Sequence, residues 1–306
     1  MEIFTTMITP YRADGTVDIE TALRYVDFYY ESGIDGIFAV CQSSEIFYLS
    51  LEERIALNSA VYHRAKELER SGCRPFTVVS SGHVSDQIED QIVELRAIAA
   101  SGTDTLIFIT NRLDPHNEGD DVFIANAEKI LAALPKEVSL GLYECPYPYK
   151  RLVSPRILRW CLDTGRFRYM KDTCCDDAIL AERAHLLSGT PFKLLNANAQ
   201  TLLSSYRAGG MGYCGIMCNF HPRLYALLRD HADRPDADKI QSFITALAFS
   251  DCLAYPLSAK YHMTLRGLDT VPICRCRDNA DLNEYQMSCI RQLKSASDAL
   301  EQMLST

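Results

Sequence analysis

Short apolar runs alternate with longer amphipathic segments along the chain. The run 2–10 (EIFTTMITP) predicts a strand, and beyond a polar turn at 13–15 the spacing of Leu23, Val26, Phe28 and Tyr29 predicts a helix over 19–32. A strand at 35–40 (DGIFAV) precedes a helix over 51–69. That helix is entered through Ser50, with Glu53 three residues on, which is a capping-box signature. The alternation continues through strands at 76–82, 103–110, 138–146, 167–173, 192–197 and 212–217. Helical patterns lie between them, clearest over 85–100 and 122–134.

The strand segments are apolar runs rather than polar–apolar alternations, as expected for parallel strands covered on both faces. Eight such strand–helix repeats predict an α/β fold, a closed (β/α)8 TIM barrel. An open doubly wound sheet is the alternative, weakened because no GxGxxG follows the first strand. The segments 236–255 and 282–304 have helical spacing and no linker-like composition. The expected organisation is a barrel over 1–234 with a C-terminal helical extension, 235–306, packed on it.

Composition narrows the function. With 47% apolar and 23% charged residues, the 306-residue chain can bury a large core and disorder is not expected. A net charge of −9 argues against a nucleic-acid partner, which would need clustered Lys and Arg. The apolar runs are too short to span a membrane, so no membrane partner is expected. Twelve cysteines invite a disulfide framework, but several (Cys145, Cys161, Cys214, Cys218) sit inside apolar runs, where a thiol packs as a small hydrophobe. No leader-like N-terminal segment is visible, so a reducing cytoplasm is the expected location.

In a barrel, chemistry belongs at the C-terminal ends of the strands. Those ends carry Thr5, Thr6 and Thr9, the loop 41–45, Ser80 and Ser81, Thr110 and Asn111, Tyr143, Lys171 and Thr173, Asn196 and Asn198, and Gly215 with Ile216. The rim is rich in hydroxyls and amides, with Lys171 as its cation and Glu45 and Glu144 as its nearest acids. Taken alone, Lys171 reads as a rim lysine that snorkels to water or pairs with Asp172. Tyr143 alone reads as a packed aromatic, and Ser43 and Ser44 as turn or cap residues. Together, an amine and a phenol on strand ends are the groups that form and process a Schiff base with a carbonyl substrate. An amine among apolar walls also loses its proton more readily. Metal readings are weak: Cys274 with Cys276, and Cys214 with Cys218, lack partner pairs at zinc spacing, and His116 and His221 have no second ligand nearby in sequence. A nucleophilic Cys41 or Cys145 has no histidine placed to activate it.

Five segments carry a family resemblance: MITPYRADGTVD (7–18), ESGIDGIFAVCQSSEIFYLSLEER (31–54), YECP (143–146), MKDT (170–173) and RAGGMGYCGIMCNFHP (207–222). Together they resemble the dihydrodipicolinate synthase / N-acetylneuraminate lyase family of pyruvate-handling class I aldolases, across the whole chain. The resemblance implies a TIM barrel with a C-terminal helical extension and an imine-forming Lys171. It implies a proton-shuttling Tyr143 and a loop, 41–45, that holds the 2-oxo acid carboxylate. Candidate substrate contacts are Gln42, Ser43, Ser44, Thr173, Asn198, Gly215 and Ile216. No cofactor and no metal is expected, and the implied assembly is a homodimer or homotetramer.

The departures from the family pattern are local. Gln42 stands where the family has the first loop threonine, and Cys41 and Ser44 replace two glycines. The family's relay uses a second tyrosine, from a neighbouring subunit, just after strand four; this chain has Thr110-Asn111-Arg112-Leu113-Asp114 there. The arginine that grips the synthase's aldehyde substrate is replaced by Pro148, with Lys150 and Arg151 nearby, and strand seven ends Asn196-Ala197-Asn198. The resemblance therefore implies a Schiff-base lyase or aldolase acting on a 2-oxo acid, pyruvate being the expected one, with an aldehyde or sugar-acid partner. The family's own synthase reaction and a non-catalytic small-acid-binding barrel are the alternatives.

Overall fold

The computed structural model describes residues 1–304. Eight parallel strands close into a barrel in sequence order: β1 (Glu2–Thr6), β2 (Gly36–Phe38), β3 (Thr77–Ser80), β4 (Thr105–Ile109), β5 (Leu140–Tyr143), β6 (Phe167–Asp172), β7 (Lys193–Asn196) and β8 (Gly212–Gly215), with β8 pairing back to β1. The helices are α1 (Ile19–Glu31), α2 (Leu51–Gly72), α3 (Ile88–Ser101), the single turn α4 (Thr110–Leu113), α5 (Asp120–Ala133), α6 (Pro155–Thr164), α7 (Asp177–Leu187), α8 (Leu202–Arg207), α9 (Pro222–His231), α10 (Ala237–Ala248), α11 (Leu257–Leu265) and α12 (Glu284–Leu304). The expected (β/α)8 barrel with a C-terminal helical extension is what the chain forms.

The helix at Ser50 starts as its sequence requires. The Ser50 hydroxyl accepts the Glu53 amide at 3.2 Å, and the Glu53 carboxylate accepts the Ser50 amide at 2.9 Å. The helix expected from 85 begins only at Ile88, because the preceding loop is held instead by Glu94, whose Oε2 accepts the Val84 and Ser85 amides at 2.9 and 3.2 Å.

The extension departs most from its sequence pattern. The helix expected over 236–255 ends at Ala248, a short turn follows, and Ala254 takes a left-handed conformation. A proline at 256 disfavours helix at the residue before it and removes a donor, so the helical run is broken there. Helix α11 then starts anew. Residues of α10, α11 and α12 (Ile240, Ile244, Met263, Ile290) share one buried apolar cluster with Phe4 and Ile37 of the barrel. No single described helix is long and apolar enough to cross a membrane, and the pair Ala237–Cys252 with Leu257–Leu265 reaches that apolarity only together, bent by 119°.

Alternation along β6 decides which way its side chains face. The Tyr169 ring meets Phe4 of β1 inside the barrel at 5.5 Å between centroids, so Lys171, two residues on, also points inward. Met170 and Asp172 point outward, Met170 into the apolar layer beneath the helices and Asp172 onto Arg183 of α7.

Candidate active site

Lys171 and Tyr143 are register partners at the ends of β6 and β5. The Lys171 Nζ lies 4.2 Å from the centroid of the Tyr143 ring and 5.8 Å from that of Phe38, which itself packs edge-on against Tyr143 at 5.3 Å. Both residues are buried, at 8% and 3% exposure. Lys171 makes no ion pair among the described residues; Asp172, which follows it, and Glu144, which follows Tyr143, are engaged elsewhere. Glu144 Oε1 takes Arg183 Nη2 at 2.7 Å, and Asp172 takes the other Arg183 amino group. The pairing of Lys171 with Asp172 that its sequence position allows is therefore not made. Burial raises the Tyr143 phenol well above its ordinary range, so it is held as a proton donor.

The phenol donates to Oε1 of Gln42 at 3.3 Å, an oxygen that also receives the Cys145 thiol at 3.5 Å. Burial pushes the Cys41 and Cys145 thiols up. A thiolate is the reactive form of cysteine, so neither suits the role of nucleophile.

The loop after β2 is a single tight turn, Gln42–Ser44, closed by Glu45 in the left-handed region at φ 60°. That conformation is uncommon for a residue with a Cβ, and three contacts from the extension hold it. Glu45 Oε1 takes the Lys260 ammonium at 2.5 Å, and Oε2 accepts the backbone amides of Arg275 at 2.6 Å and Cys276 at 3.0 Å. Ser43 donates to Thr6 Oγ1 at 3.0 Å and lines the cavity. Ser44 does not: its fully buried hydroxyl sits between the Met7 and Ala39 carbonyls and accepts the Cys41 amide at 3.1 Å, stapling the loop to β1.

A cavity of about 460 Å³ opens above Lys171 and is lined by Gln42, Ser43, Tyr143, Lys171, Thr173 and Ile216 on its inner side. Six of the nine residues singled out in the sequence thus meet in one place. Beyond Ser44, Gly215 and Asn198 also lie off the cavity. The Asn198 Oδ1 caps the turn after β7 by accepting the Gln200 and Thr201 amides at 2.8 and 3.2 Å, and a side chain at Gly215 would run into the Tyr213 ring.

The sequence reading missed Phe47, Tyr48, Pro146, Tyr147, Tyr255, Pro256 and Cys276, which complete the cavity wall. Tyr255 is the most consequential. The break before α11 turns its ring inward, the Asn219 Nδ2 donates to its hydroxyl at 3.2 Å, and the Ser43 and Thr6 hydroxyls are within its hydrogen-bonding reach. The only signal in the sequence was the Tyr-Pro pair interrupting an apolar run.

Among the described residues, Glu45, Cys274 and Cys276 form a group whose potential ligand atoms lie within 4.8 Å of one another, a third partner that cysteine spacing could not reveal. Both Glu45 oxygens are already satisfied, and the Lys260 ammonium sits on the same carboxylate, so the group does not fit a cation. His116 is exposed, and His221 is fully buried against the Tyr225 ring.

Residues 1–68 match the model of the dihydrodipicolinate synthetase family. A 4-hydroxy-tetrahydrodipicolinate synthase of Alcanivorax borkumensis is 28% identical over 243 residues, covering 76% of this chain and 74% of its own, and one from Laribacter hongkongensis is 27% identical over 226 residues, covering 72% of each. Among solved structures, a catalytic-lysine mutant of the sialic acid aldolase of Ruminococcus gnavus superposes with a TM-score of 0.85 at 16% identity, covering 98% of this chain and 96% of that one. The prophage protein YagE of E. coli K12, in complex with pyruvate, superposes with a TM-score of 0.81 at 20% identity, covering 99% and 98%. The chain is thus similar to the dihydrodipicolinate synthase family, over its first 68 residues by the family model and over most of its length at 27–28% identity to two synthases.

Proposed function

We propose that the protein is a class I lyase that binds a 2-oxo acid, pyruvate in the first instance, as an imine on Lys171. The observation that carries this reading is the amine of Lys171 lying against the Tyr143 ring, with no ion pair among the described residues, and facing a cavity. The Lys171 amine adds to the keto carbon. Tyr143 passes a proton to the carbonyl oxygen, which leaves as water when the imine forms. Ser43, with the amides of its turn, holds the carboxylate. Loss of a proton from the adjacent methyl gives an enamine. Its carbon attacks an aldehyde carbon, the aldehyde oxygen takes a proton through Tyr143, and water releases a 4-hydroxy-2-oxo acid and the free amine. The reverse sequence cleaves the same bond. The chemistry needs no cofactor beyond the lysine.

The synthase reaction by which the curated relatives are named is the second reading. Its aldehyde carries a carboxylate, and the cations nearest Pro148 are spent. Arg151 is held by Asp114 and Asp120 at 2.9 and 2.8 Å, and the Lys150 ammonium donates to the Thr173 carbonyl at 2.7 Å. We therefore favour a different aldehyde. The cavity draws Tyr143, Tyr147 and Tyr255 from one chain, so a single subunit supplies its own phenols.

Sodium borohydride reduction in the presence of pyruvate, followed by peptide mapping, tests the reading. The expected outcome is a reduced pyruvyl adduct on Lys171 that is absent from Lys171→Ala. A fully unlabelled Lys171 would refute the imine.

A further inference from the structure

The outer half of the cavity differs in chemistry from its base. Phe47, Tyr48, Pro146, Tyr147 and Pro256 form its wall, and Lys171, at the floor, is the sole cation among the described lining residues. Phe47 and Tyr147 come from separate loops and meet edge-to-face at 4.9 Å, and Tyr48 and Tyr147 leave about half their surface to solvent (47% and 51%). Half-exposed rings at the mouth of a reactive cavity are poised to cover a ligand.

Apart from Lys171, the cations around the mouth have internal partners among the described residues. Arg112 holds Asp86 at 2.7 Å and the Val84 carbonyl at 3.2 Å. Arg275 clasps Glu53 at 2.7 and 2.8 Å and donates to the Tyr48 and Gly15 carbonyls. Lys260 is sealed against Glu45, and Arg151 and Lys150 are occupied as described above. An anion reaching this wall would be desolvated without a partner, a cost of several kcal/mol. A flat apolar group would instead bury its surface against rings that favour edge-on and offset contacts.

From this, and resting on the imine reading, we infer that the second reactant is an aldehyde whose non-reacting end is an uncharged aromatic ring. The enamine carbon held at Lys171 bonds to the aldehyde carbon, the aldehyde oxygen takes up the proton, and the ring lies against Phe47 and Tyr147. In the cleavage direction the same wall holds the departing aromatic aldehyde.

The test pairs two probes on the full chain: benzaldehyde, and a carboxylate-bearing aliphatic aldehyde such as succinic semialdehyde, each with pyruvate. Turnover is followed by product formation, and binding is measured on enzyme already reduced with pyruvate and borohydride. Benzaldehyde is expected to be favoured by about tenfold or more in kcat/KM and in affinity. Phe47→Ala should erase most of that preference, with circular dichroism reading whether the barrel is intact. Tyr48→Arg, at a half-exposed position, should shift the preference towards the carboxylate-bearing probe. Equal or better use of that probe by the wild type, or binding of neither probe to the reduced adduct, overturns the inference. The borohydride adduct on Lys171 with pyruvate alone separates the two claims: its absence defeats the imine reading itself, while its presence with the wrong aldehyde preference defeats only the aromatic assignment.

Discussion

The Tyr143 hydroxyl donates to the side-chain oxygen of Gln42, 3.3 Å away. An amide oxygen accepts a proton's hydrogen bond but cannot pass the proton on, whereas a hydroxyl can do both. The phenol is thereby oriented from one side, and its exchange with solvent or substrate runs through the cavity. Gln42→Leu removes the acceptor while nearly keeping the volume. Loss of one such bond is worth about 1 kcal/mol, so the rate of borohydride-trappable adduct formation should fall about fivefold to tenfold. Tyr143→Phe, which removes the acid itself, should cost about 100-fold or more. Equal effects of the two variants, measured by single-turnover trapping, would show that Gln42 does more than orient the phenol.

Tyr255 stands on the other side of the turn Gln42–Ser44. Its hydroxyl receives the Asn219 amide at 3.2 Å, which leaves its proton to face Ser43 and Thr6. With Thr6, which accepts the Ser43 proton at 3.0 Å, it holds the Ser43 hydroxyl in place. Tyr255→Phe should raise KM for pyruvate by about fivefold, the worth of one neutral hydrogen bond, with a much smaller change in kcat. A fall in kcat at constant KM would make Tyr255 a participant in proton transfer instead.

How far the sequence reached can be judged from these residues. Lys171 and Tyr143 were legible because strand periodicity and chain ends locate them within one element each, and parallel neighbours then bring them into register. The capping box at Ser50 was legible for the same local reason. Tyr255, Lys260 and Cys276 were not. Each reaches the site through a packing of the extension on the barrel, over separations such as the 215 residues between Glu45 and Lys260, and no periodicity encodes such a contact. Ser44 shows the converse: a polar residue in a functional turn whose hydroxyl is consumed in holding that turn together.

Arg183 joins the ends of β5 and β6 from beneath. It binds Glu144 of the β5 loop at 2.7 Å, Asp172 of β6, and the Val153 carbonyl at 2.6 Å, with all three charged groups almost wholly buried. Removing one member of such a network leaves buried charge without compensation, at about 3–5 kcal/mol. Arg183→Met should lower stability to urea by that amount and weaken adduct formation at Lys171 through loosened strand ends. A loss under about 1 kcal/mol, the range of an exposed pair, would mean that the network does not hold these ends together.

His83 gives the fold a defined acid sensitivity. It is fully buried in the β3–α3 loop, its Nε2 accepts the Ile109 amide at 2.6 Å, and its Nδ1 faces Gln91 Oε1 at 2.9 Å. One nitrogen must accept and the other must donate, which fixes a neutral imidazole. Burial lowers its pKa from 6.5 to about 4. Below pH 6.5 the unfolded chain takes up a proton that the folded chain refuses until about pH 4, so stability is complete above 6.5 and falls on acidification through that window. The slope from this one site is about 1.4 kcal/mol per pH unit. His221, lowered to about 3 by burial, acts in the same direction. His83→Gln, which can still donate and accept, should unfold with a shallower dependence between pH 6.5 and 4.5, the difference reaching about 2–3 kcal/mol at the acid end. Parallel urea-unfolding curves for the two proteins across that range would show that His83 is protonated in the folded state after all.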